Sequence, residues 1–197
     1  MADSQTPQMI VIAGPPGSGK STAFPASSFM EQSFNADDRA AALNGGSYLL
    51  IPRKVREQAN REFESFLVEN IRAGQSFAFE TTLRSSITFE QARVAKAAGF
   101  SVVMTYLALA TFEVHLERVK IRADKGGHSA PESVLRQIHA SSLANLPRAI
   151  SEMDLIRVYD NTAWGATPIL LLEANSGQII YLKDSPPQWL TTALAQE

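Results

Sequence analysis

Met9-Ile-Val-Ile-Ala-Gly14-Pro-Pro-Gly-Ser-Gly-Lys20-Ser21-Thr22 is the stretch whose reading decides the fold. Its first five residues form an apolar run rich in β-branched side chains, the pattern of a strand buried on both faces of a parallel sheet. The run ends at Gly14, and residues 14–21 satisfy G-x-x-x-x-G-K-[ST] at every fixed position. A helix is expected from Gly19, ending or bending near Phe24 because Pro25 follows. A strand before and a helix after make this pattern a phosphate loop. Gly17 and Gly19 let successive N–H groups converge on a β-phosphate, and the helix N-terminus adds its positive dipole end. Lys20 offers a compact cation to the β and γ oxygens, and Ser21 offers a hydroxyl to Mg²⁺. ATP and Mg²⁺ are therefore the expected cofactors. Gly14, Pro15, Pro16, Gly17, Ser18, Gly19, Lys20, Ser21 and Thr22 are the expected nucleotide cradle, with Ser21 as the metal residue.

Outward from this loop, strands alternate with helices. Val55, Ala59, Phe63, Phe66, Leu67 and Ile71 recur at spacings of three and four, and Gly74 stands where a helix C-terminus would place it. Residues 33–35 read as a short second strand delivering Asp37 and Asp38. Residues 76–80, 101–109 and 155–159 read as further strands. Helices are expected from a Thr88-x-x-Gln91 capping pattern to Gly99, and over residues 111–125. Another should follow the Ser129-Ala-Pro-Glu132 cap and stop before Pro147. Apolar runs at 169–172 and 178–182 flank Asn175-Ser-Gly177 as a terminal β-hairpin, and Pro186-Pro187 starts a last short helix. The expectation is an α/β P-loop NTPase/kinase fold: one domain over residues 1–197, a mainly parallel sheet flanked by helices, and a C-terminal β-hairpin.

Composition narrows the function. Hydrophobic residues make up 45% of the chain and charged ones 19%, so a packed core is expected. A net charge of -2 gives no long-range pull on nucleic acid or anionic lipid, and neither is expected as a partner. The absence of cysteine removes disulfides, thiol nucleophiles and zinc–thiolate sites. No stretch approaches the roughly 18 apolar residues of a spanning helix, and residues 1–8 carry no positive n-region. A cytoplasmic protein is the simplest expectation.

A phosphate loop alone does not separate a kinase from a switch or motor. Those usually carry an apolar strand ending in an acid that holds Mg²⁺ and a water. Here Phe77-Ala-Phe-Glu80-Thr81-Thr82 ends in one acid and two hydroxyls, a group suited to gripping substrate hydroxyls. Asp37 stands where a general base for an acceptor alcohol would sit, after the second strand. The plainer alternative is that Asp37 or Asp38 caps a helix. Arg118 and Arg122 lie one helical turn apart before Gly126-Gly127-His128, a lid-like hinge, and suit a transferring phosphoryl group. Their plainer alternative is a solvated face paired with Glu117 or Asp124. His128 and Arg136 are weaker candidates. His115 and His139 read as ordinary helix residues, with no carboxylate or histidine at metal-ligand spacing.

Taken together, several segments resemble the zeta toxin family of P-loop kinases, in a compact form. They are Gly14-Pro-Pro-Gly-Ser-Gly-Lys-Ser-Thr22, Asn35-Ala-Asp37, Phe79-Glu80-Thr-Thr-Leu83, residues 118–122 leading into Gly126-Gly-His-Ser-Ala-Pro-Glu132, Ser142-Leu-Ala-Asn-Leu146 and Val158-Tyr-Asp-Asn-Thr162. The resemblance implies ATP-dependent phosphorylation of UDP-N-acetylglucosamine on its sugar 3′-hydroxyl. It implies Asp37 as base, Lys20 and Ser21 on phosphate and metal, and Glu80 with Thr81 or Thr82 gripping the nucleotide sugar. Arg118 would be one arm of a γ-phosphate clamp whose second arm is Arg122 or Arg136. A separate antitoxin protein is the partner such a chain would have. Two readings stay beside it: a kinase for another small alcohol such as an antibiotic, nucleoside or dinucleotide, and a nucleotide-dependent binding switch that phosphorylates no acceptor.

Overall fold

The computed structural model describes residues 6–127 and 129–195; the candidate His128 lies outside the described residues. Strand β1 (Gln8–Ala13) is fully buried at Met9, Val11, Ile12 and Ala13, as its two-sided apolar run requires. It pairs in parallel with β3 (Phe77–Thr81) on one side and with β4 (Ser101–Ala108) on the other. Beyond β3 lies the two-residue β2 (Ser33–Phe34), and beyond β4 lies β5 (Leu155–Asp160), both also parallel. The antiparallel pair β6 (Ile169–Asn175) and β7 (Gln178–Leu182) extends the sheet past β5, giving the order β2-β3-β1-β4-β5-β6-β7. The expected mainly parallel sheet with a C-terminal hairpin is what forms.

The helices are α1 (Lys20–Ala23), α2 (Ala36–Leu43), α3 (Arg53–Ala73), α4 (Ile87–Ala97), α5 (Phe112–Asp124), α6 (Glu132–Ala144), α7 (Leu146–Glu152) and α8 (Gln188–Leu194). Gly74 caps α3 in the left-handed conformation, as the sequence implies. One large cluster gathers Met9, Val11, Phe77, Phe79, Phe89, Met104 and Tyr106 with Phe63 and Phe66 of α3. Replacing a buried ring such as Phe79 by alanine removes about 3–5 kcal/mol at such a site.

Local details depart from expectation where two capping signals compete. Helix α4 opens at Ile87 behind Ser86, so Thr88 is not its cap but a buried residue of its first turn. Helix α6 is preceded by Pro131, with no side-chain cap from Ser129. Pro147 does not terminate a helical run but sits in the first turn of α7, where its missing N–H costs nothing. Helix α2 was not apparent from apolar spacing. Asn35 caps it, its side-chain oxygen accepting from the N–H groups of Asp37 and Asp38.

The connection from β1 passes over β3 to reach β2, then returns. The crevice at the C-terminal ends of β1, β3 and β4 is therefore the topological switch point where ligands of open α/β sheets bind. Among the described residues, no helix is long and apolar enough to cross a membrane.

Candidate active site

The phosphate loop fills this crevice between β1 and α1. A nucleotide-binding loop needs its N–H groups turned inward, so its carbonyls must turn outward and be satisfied there. Four of the loop's carbonyls have side-chain partners. Lys20 Nζ donates to the Gly14 carbonyl at 2.7 Å and to that of Pro15 at 3.2 Å. The Pro16 carbonyl is 3.0 Å from His115 Nδ1, and the Ser18 carbonyl accepts from Asn161 Nδ2 at 2.8 Å. Two glycines are dictated by close approach as well as backbone. A Cβ on Gly17 (φ 80) would lie 2.6 Å from the His115 carbonyl oxygen, and one on Gly19 (φ 87) 2.4 Å from Asn161 Nδ2.

Acidic groups surround the lysine. The register of β1 against β3 sets Glu80 opposite Ile12, two residues before Gly14. Ser21 Oγ donates to Glu80 Oε2 at 2.7 Å. Burial lifts the Glu80 carboxyl above the usual range, against the opposing pull of Ser21 and Lys20. Burial also pushes the Lys20 ammonium down to about 8, opposed by Glu80 and Asp37, while Arg122 adds to the lowering. Lys20 thus feels Glu80, Asp37 and Arg122 across the crevice. Asp37, in the first turn of α2, is exposed and its charge reaches Lys20. Hydroxyl and carboxylate oxygens of Ser21 and Glu80, bonded together beside Lys20, are the hard donors that suit Mg²⁺ when a nucleotide brings further oxygens. Among the described residues there is no cluster of three or more His, Cys, Asp or Glu that could hold a metal without one.

The two arginines of α5 separate. Burial lowers the Arg122 guanidinium, which Asp37 and Tyr48 hold up. Arg118 instead donates to the Thr162 carbonyl at 2.9 Å and lies over the exposed Trp164 ring at 4.9 Å. Asp160, at the end of β5, orders this turn through the N–H and hydroxyl of Thr162. Arg136 is engaged elsewhere, with Glu132 at 3.1 Å and over the Phe112 ring at 4.0 Å. Thr81 accepts from the Leu83 N–H at 3.2 Å, and Asn145 donates to the Leu83 carbonyl at 2.9 Å, together pinning a left-handed residue (φ 56) just after Glu80.

Sequence reading missed Tyr48, Asn161 and His115. Tyr48, from the loop after α2, donates to Asp38 Oδ1 at 2.7 Å, and that bond, with burial, pushes its hydroxyl up to about 12. Its signal was only an aromatic after Gly45-Gly46. Asn161 was visible within Val158-Tyr-Asp-Asn-Thr162, but not its task.

An uncharacterised protein of Haemophilus influenzae is 27% identical over an alignment of 132 residues that covers 64% of this chain and 89% of that protein. The structure of AvrRxo1-ORF1:-ORF2 with ATP superposes with a TM-score of 0.69 at 17% identity over 95% of this chain, which spans 66% of that chain's length. The PezAT chromosomal toxin-antitoxin system of Streptococcus pneumoniae superposes with a TM-score of 0.59 at 16% identity, covering 98% of this chain and 80% of that one. Likeness at such identity establishes architecture, and the architecture is a P-loop kinase-like fold. The family described as AAA domain matches residues 9–143, from β1 into α6 and including the phosphate loop, Asp37, Glu80, Arg118 and Arg122; the chain belongs to that family.

Proposed function

We propose that this chain is an ATP-dependent kinase that transfers the γ-phosphoryl group to a hydroxyl of a small nucleotide sugar, with UDP-N-acetylglucosamine the first acceptor to test. The observation that carries the reading is the convergence of Lys20, Asp37, Glu80 and Arg122 on the crevice after the phosphate loop, with Ser21 bonded to Glu80. A switch needs an acid to hold the metal, which Glu80 could supply. It has no use for a second carboxylate, Asp37, opposite the lysine and beside an arginine. The resemblance to zeta toxins supports the choice of acceptor.

In this mechanism the loop N–H groups hold the β-phosphate and Lys20, seated on the loop carbonyls of Gly14 and Pro15, offers its ammonium to the β and γ oxygens. Ser21 and Glu80 would hold a Mg²⁺ carried in with ATP, whose charge would neutralise that of the phosphates. Asp37 accepts the proton of the acceptor hydroxyl as its oxygen attacks phosphorus and the bond to the ADP oxygen breaks. Arg122 offsets charge on the transferring group, while Arg118 with Trp164 serves the nucleoside end beside Gly19. Thr81 and Thr82 line the acceptor side next to Glu80. A separate antitoxin as partner accords with the toxin-antitoxin naming of the PezAT system.

The test is incubation with magnesium ATP and a panel of nucleotide sugars, nucleosides and antibiotics, read by mass spectrometry. One acceptor should gain one phosphate in step with ADP release. ADP release with no phosphorylated acceptor would instead identify a hydrolysing switch.

A further inference from the structure

We propose that His115 is a positioning residue for nucleotide binding: its neutral imidazole, protonated on Nδ1, ties the Pro16 carbonyl to the end of β4 and so keeps the phosphate loop's N–H groups turned inward. The inference rests on residues 14–22 being the nucleotide cradle, and not on the identity of any acceptor.

The protonation follows from the two partners. The Leu109 N–H donates to His115 Nε2 at 3.0 Å, and a backbone N–H can only donate, so Nε2 carries no proton. The proton of the neutral ring is then on Nδ1, 3.0 Å from the Pro16 carbonyl, which can only accept. One tautomer satisfies both bonds and the other satisfies neither. An imidazolium would set two N–H groups against each other at Leu109. His115 is 2% exposed, and burial, with the neighbouring His139 ring 4.8 Å away, pushes it down to about 3.

The same residue meets the loop again at the next position, where its backbone carbonyl walls off the Cα of Gly17. Pro15 and Pro16 have no N–H groups of their own to anchor this arc. Lys20 holds two of the loop carbonyls with an ammonium that must also serve the phosphates. The bonds from His115 and Asn161 do not draw on that ammonium, so they fix the loop whether or not a phosphate engages the lysine. Pre-set loop geometry is what lets binding proceed without an ordering cost.

Two replacements divide the bridge. Asn carries its amide nitrogen at the depth of Nδ1 and keeps a donor for Pro16; Gln carries its amide oxygen at the depth of Nε2 and keeps an acceptor for Leu109. Magnesium ADP is titrated calorimetrically against the wild type and against His115→Asn, His115→Gln and His115→Ala, each also melted. Expected affinities are within about threefold of wild type for Asn and about tenfold or more weaker for Gln and Ala, the cost of one lost buried hydrogen bond. Gln binding as tightly as wild type, or Asn binding as weakly as Ala, overturns the proposal. Should the variants not fold, the wild type decides it: ¹⁵N-labelled histidine must show His115 as the Nδ1–H tautomer at neutral pH, and an Nε2–H tautomer or an imidazolium refutes the bridge. A wild type that binds no magnesium ADP refutes the cradle itself, and the proposal with it, an outcome distinct from a binding wild type with an unaffected Gln variant.

Discussion

The phosphate loop and the loop after α2 face the same crevice, yet they are held in opposite ways. The first is bound from the turn after β5 by Asn161, from α5 by His115 and from within by Lys20, and its glycines are walled by neighbouring atoms. The second, residues 44–52, has Gly45 and Gly46 with nothing within 4 Å of where a Cβ would stand, and Leu50 is 97% exposed at a φ of 50. Its attachments include the seat of Ile51 among Ala40 and Ala59, the Asn44 side chain, the Arg56 guanidinium on the Ile51 carbonyl, and the bond from Tyr48 to Asp38. A strained, exposed leucine in the loop that Tyr48 ties to Asp38 fits a segment that repacks around an acceptor, whereas the nucleotide side is built in advance.

The largest expected effect breaks the acceptor side alone. Asp37→Asn removes the proton acceptor but keeps its place in the first turn of α2. Phosphoryl transfer should fall by about 10²–10⁴-fold with magnesium ADP affinity little changed. Rapid-quench rates and calorimetry measure the two, and wild-type transfer in this variant would discharge Asp37 from the role of base. A smaller effect comes from making one substitution in both loops. Gly17→Ala and Gly46→Ala both impose a left-handed alanine, a strain of about 1–2 kcal/mol, since their φ values are 80 and 85. Only Gly17→Ala also drives a methyl into the His115 carbonyl. It should slow transfer on the order of a hundredfold, while Gly46→Ala loses melting temperature alone. Equal kinetic losses in the two would mean the loops are not differently held.

The same contrast explains what the sequence discloses. The phosphate loop is a contiguous eight-residue pattern between a buried strand and a helix, so its position and chemistry are local facts. Helix α3 and the terminal hairpin are legible for the same reason, each being a periodic run with a glycine at its end. What stays hidden are partners far along the chain: His115 lies 99 residues from Pro16, and Asn161 lies 143 from Ser18. A histidine on a helix face looks ordinary until the fold sets a backbone carbonyl against one ring nitrogen and a backbone N–H against the other. Helices α2 and α7 were obscured differently, by short length and by a proline that serves equally as a stop or a start. The split between Arg118 and Arg122, spaced as a pair in sequence, depends on the turn after β5, which no local pattern connects to α5.

The smallest effect sharpens the comparison by pH, and it comes from one proton. In the free protein Lys20 titrates at about 8, because burial outweighs Glu80 and Asp37. Bound phosphates add negative charge and raise that value, so the complex holds the proton more tightly than the free protein. Affinity for magnesium ADP should therefore be flat below pH 8 and weaken above it, by about tenfold at pH 9, since each pKa unit carries 1.36 kcal/mol. Stability runs the other way. The unfolded chain binds this proton with the ordinary lysine value of 10.5, above the folded one, so the folded state is penalised in full below pH 8. That penalty fades as pH rises from 8 towards 10.5. Calorimetry and thermal melting across pH 7–9.5 should show affinity falling while this contribution to stability grows, and Lys20→Arg, which does not titrate there, should flatten both. An affinity that stays constant to pH 9.5 in the wild type would mean that the Lys20 ammonium does not meet the phosphates.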